Sequence, residues 1–136
     1  MILLDTNIVS ESMRVEPDPR VIDWMDRQRA SHLFLSAISV DEIVFGIETL
    51  PDGRRKNHLA RTFSAIADAF DGRIADFDAN AARESARFRA HRRLIGRPMS
   101  LADSQIAGIA KSKGLSLATV NARDFEGIDL SVVEPF

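Results

Sequence analysis

Short apolar runs alternate with longer stretches of helical periodicity along almost the whole chain, and that alternation is the first thing to explain. Met1 to Leu4 is an apolar run ending abruptly in Asp5-Thr6-Asn7, the pattern of a buried strand that delivers polar residues at its carboxyl end. A helix from about Asn7 to Met13 follows and is broken at Glu16-Pro17-Asp18-Pro19. There Asp18 caps a second helix, with Pro19 at its first position and Val21, Ile22, Trp24 and Met25 on its apolar side. Leu33 to Leu35 reads as a second strand stopped by Ser36, and Ser39-x-x-Glu42 matches a capping box opening a helix to about Leu50. After the turn Pro51-Asp52-Gly53, a long helix from Arg54 to about Phe70 sets Leu59, Phe63, Ile66, Ala67 and Phe70 on one face.

Ile74 to Phe77 predicts another short strand, and Asp78 caps an arginine-rich helix that reaches about Ile95 before Gly96-Arg97-Pro98 stops it. Ser100-x-x-Asp103 starts the next helix and Gly114 closes it. Leu115 to Val120 predicts a strand ending in Asn121-Ala122-Arg123-Asp124, with a last short strand at Ser131 to Glu134. Strands alternating with helices predict a three-layer α/β fold around a mostly parallel sheet, though not the order of its strands. At 136 residues the chain makes a single domain, 1–136.

Composition narrows the chemistry. There is no cysteine, which removes disulfides, thiolate metal sites and cysteine nucleophiles and fits a reducing cytoplasm. His32, His58 and His91 are not at i, i+4 spacing, so an imidazole-rich zinc site is not expected. Any metal must be held by carboxylates, which favour a hard ion such as Mg²⁺ or Mn²⁺. The longest apolar runs fall far short of the ~20 residues of a membrane span, and Asp5 interrupts the start too early for a signal peptide. Net charge is −2, yet Arg83, Arg87, Arg89, Arg92, Arg93 and Arg97 are accompanied by Glu84 alone, and Arg54, Arg55, Lys56 and Arg61 form a second basic group. Two such stretches are either solvated helix faces or guides for a polyanion.

Asp5, Glu42, Asp103 and Asp124 are the candidate acids. Asp5 directly follows a buried strand, an expensive place for a carboxylate unless it caps a helix or meets a cation. Glu42 and Asp103 each sit three residues after a serine, so capping explains both. Asp103 nevertheless falls within the apolar arc of its helix beside Ala107 and Ala110, and Glu42 falls at the edge of its own arc beside Gly46 and Thr49, where small neighbours leave room for an ion. Asp124 also fits a simple turn. Four carboxylates gathered near sheet ends would repel one another without a cation, so their convergence in one pocket would itself imply metal.

These residues carry a resemblance. Met1-Ile2-Leu3-Leu4-Asp5-Thr6-Asn7, Leu35 to Ile43 with Gly46, Ser100-Leu101-Ala102-Asp103-Ser104-Gln105-Ile106-Ala107 and Leu117 to Phe125 together resemble the PIN-domain family, and within it the VapC-type toxins. The resemblance covers nearly the whole chain. It implies a Rossmann-like PIN fold, an Mg²⁺- or Mn²⁺-dependent endoribonuclease attacking RNA with activated water, a homodimer, and a VapB-type antitoxin partner that blocks the site. It also implies that Asp5, Glu42, Asp103 and Asp124 are the acidic quartet, with Asp5 and Asp103 as direct metal ligands. Thr6 and Thr119 would support them, Thr6 by orienting Asp5 or a water unless it merely caps a helix, and Asn7 and Asn121 would order the loops. Val120 departs from the family pattern, standing where many relatives carry arginine. Two rivals remain on the sequence: a non-catalytic PIN-like module that binds nucleic acid with its antitoxin, and a phosphoaspartyl enzyme, which usually carries a second aspartate where this chain has Asn7.

Overall fold

Leu3 and Leu4 are consecutive, fully buried and packed into different hydrophobic cores. A strand alternates its side chains between two faces, so a strand buried on both sides belongs to the middle layer of three. The computed structural model describes residues 1–136. In it, β1 (Ile2–Leu4) is the central strand of a five-stranded parallel sheet with β2 (Leu33–Ser36), β3 (Ile74–Ala75), β4 (Ser116–Ala118) and β5 (Val132–Val133), ordered β3-β2-β1-β4-β5. Leu33, Leu35 and Ala118 share the Leu4 core, whereas Phe34 and Leu117 turn to the Leu3 side.

The Leu4 core is completed by α1 (Thr6–Ser12), α2 (Pro19–Asp26), α3 (Ala37–Glu48) and α4 (Arg54–Ala69), through Ile8, Val9, Trp24, Ile43, Ile47 and Phe63. The opposite core is closed by α5 (Ala79–Leu94) and α6 (Leu101–Ser112), through Ala81, Phe88, Ile106 and Ile109. These two helices approach very closely. A Cβ added at Gly108 of α6 would lie 2.4 Å from the Ala81 carbonyl oxygen and 2.7 Å from the Ser85 nitrogen of α5, so only glycine fits. Beside it the Ser85 hydroxyl donates to Ser104 at 3.2 Å.

The chain builds outward from β1 through β2 to β3, then returns to the other side of β1 with β4. The strand order therefore reverses between β1 and β4, and a crevice forms at their carboxyl ends, where ligands bind in open α/β sheets. The expected three-layer α/β architecture is present, and no helix is long and apolar enough to cross a membrane. The strands after β2 are shorter than their apolar runs suggest. One expected boundary was placed wrongly: α3 begins at Ala37, not Ser39, because Ser36 adopts an extended conformation and its hydroxyl accepts the Ser39 N–H at 2.9 Å. Glu42 thus lies in the second turn and has no part in a capping box.

Candidate active site

Asp5 is placed by the sheet and then recruited by a helix. Its backbone N–H donates to the Ala118 carbonyl at 2.8 Å, extending the β1–β4 pairing by one residue, and its Oδ1 accepts the Thr6 N–H at 2.8 Å as the N-cap of α1. Its Oδ2 accepts the Thr119 hydroxyl at 2.8 Å and the Asn7 Nδ2 at 3.1 Å. Only 5% of Asp5 is exposed. Burial pushes its carboxyl up to about 6; the bonds from Thr119 and Thr6 pull the other way, and the charges of Asp103 and Glu42 add to the rise. Asn7 also reaches the Thr119 hydroxyl at 3.3 Å, which leaves its own Oδ1 buried without a partner.

Glu42 is held by a line of hydroxyls. Thr6 Oγ1 donates to Glu42 Oε1 at 2.7 Å and lies 2.7 Å from Ser39 Oγ, which is 3.2 Å from Ser36 Oγ. Each hydroxyl carries a single proton. With that of Thr6 on Glu42, Ser39 must donate to Thr6 and Ser36 to Ser39, so the whole line points toward the carboxylate. Ser36 and Ser39 are fully buried. Thr6 therefore neither caps α1 nor bonds to Asp5 through its hydroxyl: Asp5 is the cap, and the Thr6 hydroxyl ties α1 to α3.

Asp103 stands in the first turn of α6, whose N-cap Ser100 accepts the Asp103 N–H at 3.1 Å. Partial burial raises its carboxyl pKa; hydrogen bonding with Ser100 opposes this, the charges of Asp124 and Glu42 reinforce it, and Arg92 lowers it. Asp124 is exposed in a 3₁₀ turn, Ala122–Phe125, after β4. That turn is clasped from behind. Arg92 of α5 is 5% exposed; its Nη1 donates to the carbonyls of Asp124 at 2.7 Å and Glu126 at 3.1 Å, and its Nε to that of Arg97 at 2.6 Å. Asn121 acts through its backbone, donating its N–H to Thr119 Oγ1 at 3.0 Å.

The structure brings Asp5, Glu42, Asp103 and Asp124 to the β1–β4 crevice, with Asp103 electrostatically linked to each of the other three. They do not close into one tight cluster: no three carboxylates come within ligating reach of a common point. The carboxylates of Asp5 and Glu42 are held by hydrogen bonds, whereas Asp103 and Asp124 are placed through their backbones, by the start of α6 and by the 3₁₀ turn after β4. The donor set is all oxygen, and its buried member is destabilised by the adjacent negative charges, a combination suited to a hard divalent cation. Asp5 and Asp103 are the two members of the set whose carboxyls are raised above the ordinary carboxylate range.

Sequence reasoning missed Ser36, Ser39 and Arg92 as parts of this site. Arg92 lies in the basic stretch that reads as either a solvated helix face or a guide for a polyanion, but its spacing carries a signal. Ala81, Ser85, Phe88 and Arg92 follow one another at four- and three-residue steps, and all four are buried on one face of α5.

A doubly wound parallel sheet with carboxylates at its switch point places these acids where open α/β sheets bind their ligands. The PIN domain family model matches residues 2–129, and the chain belongs to that family. It is 36% identical over its full length to the VapC ribonuclease Y4jK of Sinorhizobium fredii, covering 98% of that protein. It is 38% identical, again over its full length, to toxin FitB of Neisseria gonorrhoeae, covering 99% of it. Among solved structures, FitAcB from Neisseria gonorrhoeae superposes with a TM-score of 0.92 at 38% identity, covering 99% of this chain and 98% of that one.

Proposed function

We propose that this chain is a divalent-metal-dependent endoribonuclease and the toxin of a toxin–antitoxin pair, restrained by an antitoxin of the VapB type and acting in the cytoplasm as a homodimer. The observation that carries the catalytic reading is Asp5: a carboxyl buried just beyond the carboxyl end of the central strand, its pKa pushed up to about 6, with the charges of Asp103 and Glu42 adding to the rise. Burying a carboxylate among like charges is unfavourable unless a cation joins them. Similarity to a ribonuclease and to a toxin supports the substrate and the biological setting.

In this reading Asp5 and Asp103 hold Mg²⁺ or Mn²⁺, which when bound supplies positive charge to a phosphodiester and acidifies water. Thr6 keeps Glu42 turned toward the centre, available to accept a proton from an attacking water. Arg92 fixes the turn that carries Asp124 at the outer edge. Hydrolysis forms a bond from the water oxygen to phosphorus and breaks the bond to the leaving ribose oxygen, which takes up a proton. Exposed arginines of α5 face solvent as a route for the RNA backbone.

The test is cleavage of RNA by antitoxin-free protein in Mg²⁺, Mn²⁺ or EDTA. Activity should require the ion, and Asp5→Asn and Asp103→Asn should each lose at least ~100-fold. Equal cleavage by wild type and both variants overturns the assignment.

A further inference from the structure

Ser36 and Ser39 are both fully buried, yet the fold explains only one of them. Ser36 caps α3 by accepting the Ser39 N–H at 2.9 Å. The Ser39 hydroxyl caps nothing: its partners are the Thr6 hydroxyl at 2.7 Å and the Ser36 hydroxyl at 3.2 Å. In the first turn of α3 a buried alanine would suit the helix better and bring no polar atom to satisfy. The Ser39 hydroxyl therefore has its purpose in the line it completes.

That line is closed at one end and open at the other. The Thr6 proton has two acceptors at 2.7 Å, Glu42 Oε1 and Ser39 Oγ. Were it given to Ser39, Ser39 would pass its own proton to Ser36. The Ser36 proton would then have no acceptor, because its hydroxyl is fully buried and bonds only to Ser39. With Ser39 donating to Thr6 every proton is placed, and Thr6 has only Glu42 left to serve. The Glu42 carboxylate is thereby held through Oε1, while its Oε2 carries no hydrogen bond.

We propose that Ser39 is a positioning residue of the ribonuclease centre: by donating to Thr6 it commits the Thr6 proton to Glu42 Oε1, which leaves Oε2 as the oxygen that takes a proton from the attacking water. The inference rests on the ribonuclease reading and adds which oxygen of Glu42 reacts and what selects it. As the water oxygen bonds to phosphorus, one of its protons passes to Oε2; the bond from phosphorus to the leaving ribose oxygen breaks, and that oxygen takes a proton from solvent. The line carries no proton through, since its far end is sealed at Ser36. It orients the acceptor and does not relay. Hydrogen bonds in series polarise and strengthen one another, so the loss of Ser39 is transmitted through Thr6 to Glu42.

The experiment compares RNA cleavage by antitoxin-free wild type, Ser39→Ala, Ser39→Cys, Glu42→Ala, the Ser39→Ala/Glu42→Ala pair and Asp5→Asn in Mg²⁺. Ser39→Ala should lower kcat ~5-fold, the worth of one net hydrogen bond. KM and the Mg²⁺ needed for half-maximal cleavage should stay as in wild type, because Asp5 and Asp103 lie outside the line. Ser39→Cys keeps nearly the same shape with a weaker donor and should fall between. On the residual rate of Glu42→Ala, Ser39→Ala should have no further effect. Equal slowing with and without the Glu42 carboxylate, or a rise in KM and Mg²⁺ requirement alongside the fall in kcat, overturns the proposal and leaves Ser39 a packing residue. Urea unfolding gives a readout independent of cleavage: the midpoint shifts of Ser39→Ala and Glu42→Ala should be non-additive, and additive once Thr6→Val is present. Additive shifts throughout also overturn the proposal. Failure of the ribonuclease reading looks different: wild type and Asp5→Asn would then cut alike, while the unfolding cycle still shows whether Ser39 and Glu42 are linked through Thr6.

Discussion

Thr6 Oγ1 donates a 2.7 Å hydrogen bond to Glu42 Oε1 across 36 residues of sequence. That bond joins the start of α1 to the second turn of α3 and fixes one acid relative to the strand end that carries Asp5. Thr6→Val removes the donor while keeping the shape. It should lower kcat about 10-fold through loss of Glu42 orientation, and it should cost about 1 kcal/mol of stability. Thr6→Ser should restore most of both. Single-turnover cleavage and urea unfolding of the three proteins check the pattern.

Asp5 makes stability depend on pH. Its carboxyl titrates near 3.8 in the unfolded chain and at about 6 in the native one, so the folded state keeps the proton longer. Without divalent ions, stability should fall as pH rises from about 4 to about 6 and level off above that, a change of up to about 3 kcal/mol at ~1.4 kcal/mol per pKa unit. Asp103, raised in the same direction, adds to it. Asp5→Asn should flatten the profile, with its advantage over wild type largest near pH 7 and absent near pH 4. Urea midpoints across this window measure it.

Binding of an ion should offset the same penalty. Mg²⁺ at ~100 times its Kd should stabilise the native protein by about 2.7 kcal/mol at pH 7, and Asp5→Asn and Asp103→Asn should show little of this shift. Thermal unfolding with and without Mg²⁺ reads the effect independently of RNA cleavage.

Arg92 satisfies three backbone carbonyls around the Asp124 turn and the segment before α6. Arg92→Met should cost about 1–3 kcal/mol, because those partly buried acceptors lose a charged donor. Arg92→Lys keeps the charge but lacks the planar fork and should fall between the two. In both variants amide exchange in residues 121–126 should quicken, and the Mg²⁺ needed for half-maximal cleavage should rise more than kcat falls.

The two helical glycines should respond oppositely to alanine. Gly108→Ala forces a Cβ against backbone atoms at 2.4 and 2.7 Å and should destabilise by about 1–3 kcal/mol. Gly46→Ala meets open space and should stabilise by up to about 1 kcal/mol. Thermal melts of the two variants decide it.

Much of the fold was legible in sequence because its signals are local. Asp18 before Pro19, Asp78 before the arginine-rich helix and Ser100 before Leu101 all cap the helices they announce. Where two local signals competed, sequence reasoning failed. Ser36 and Ser39 are both good caps, and only the extended backbone of Ser36 at the end of β2 decides between them. The same limit hid Arg92: composition placed it with solvated arginines, whereas the packing of α5 turns it inward with Phe88.

By itself the sequence determined which segments are strands and helices, that the sheet is buried on both faces, and which acids stand at element ends. These depend on side-chain periodicity and on hydrogen bonds within about four residues. Tertiary structure alone decided the strand order, the 2.8 Å bond from Thr119 to Asp5, the hydroxyl line reaching Glu42 and the clasp of Arg92 on the Asp124 turn. Those partners lie up to 114 residues apart. Their meeting is set by β4 pairing with β1, and by two helical layers packing on opposite faces of one sheet, which no local pattern encodes.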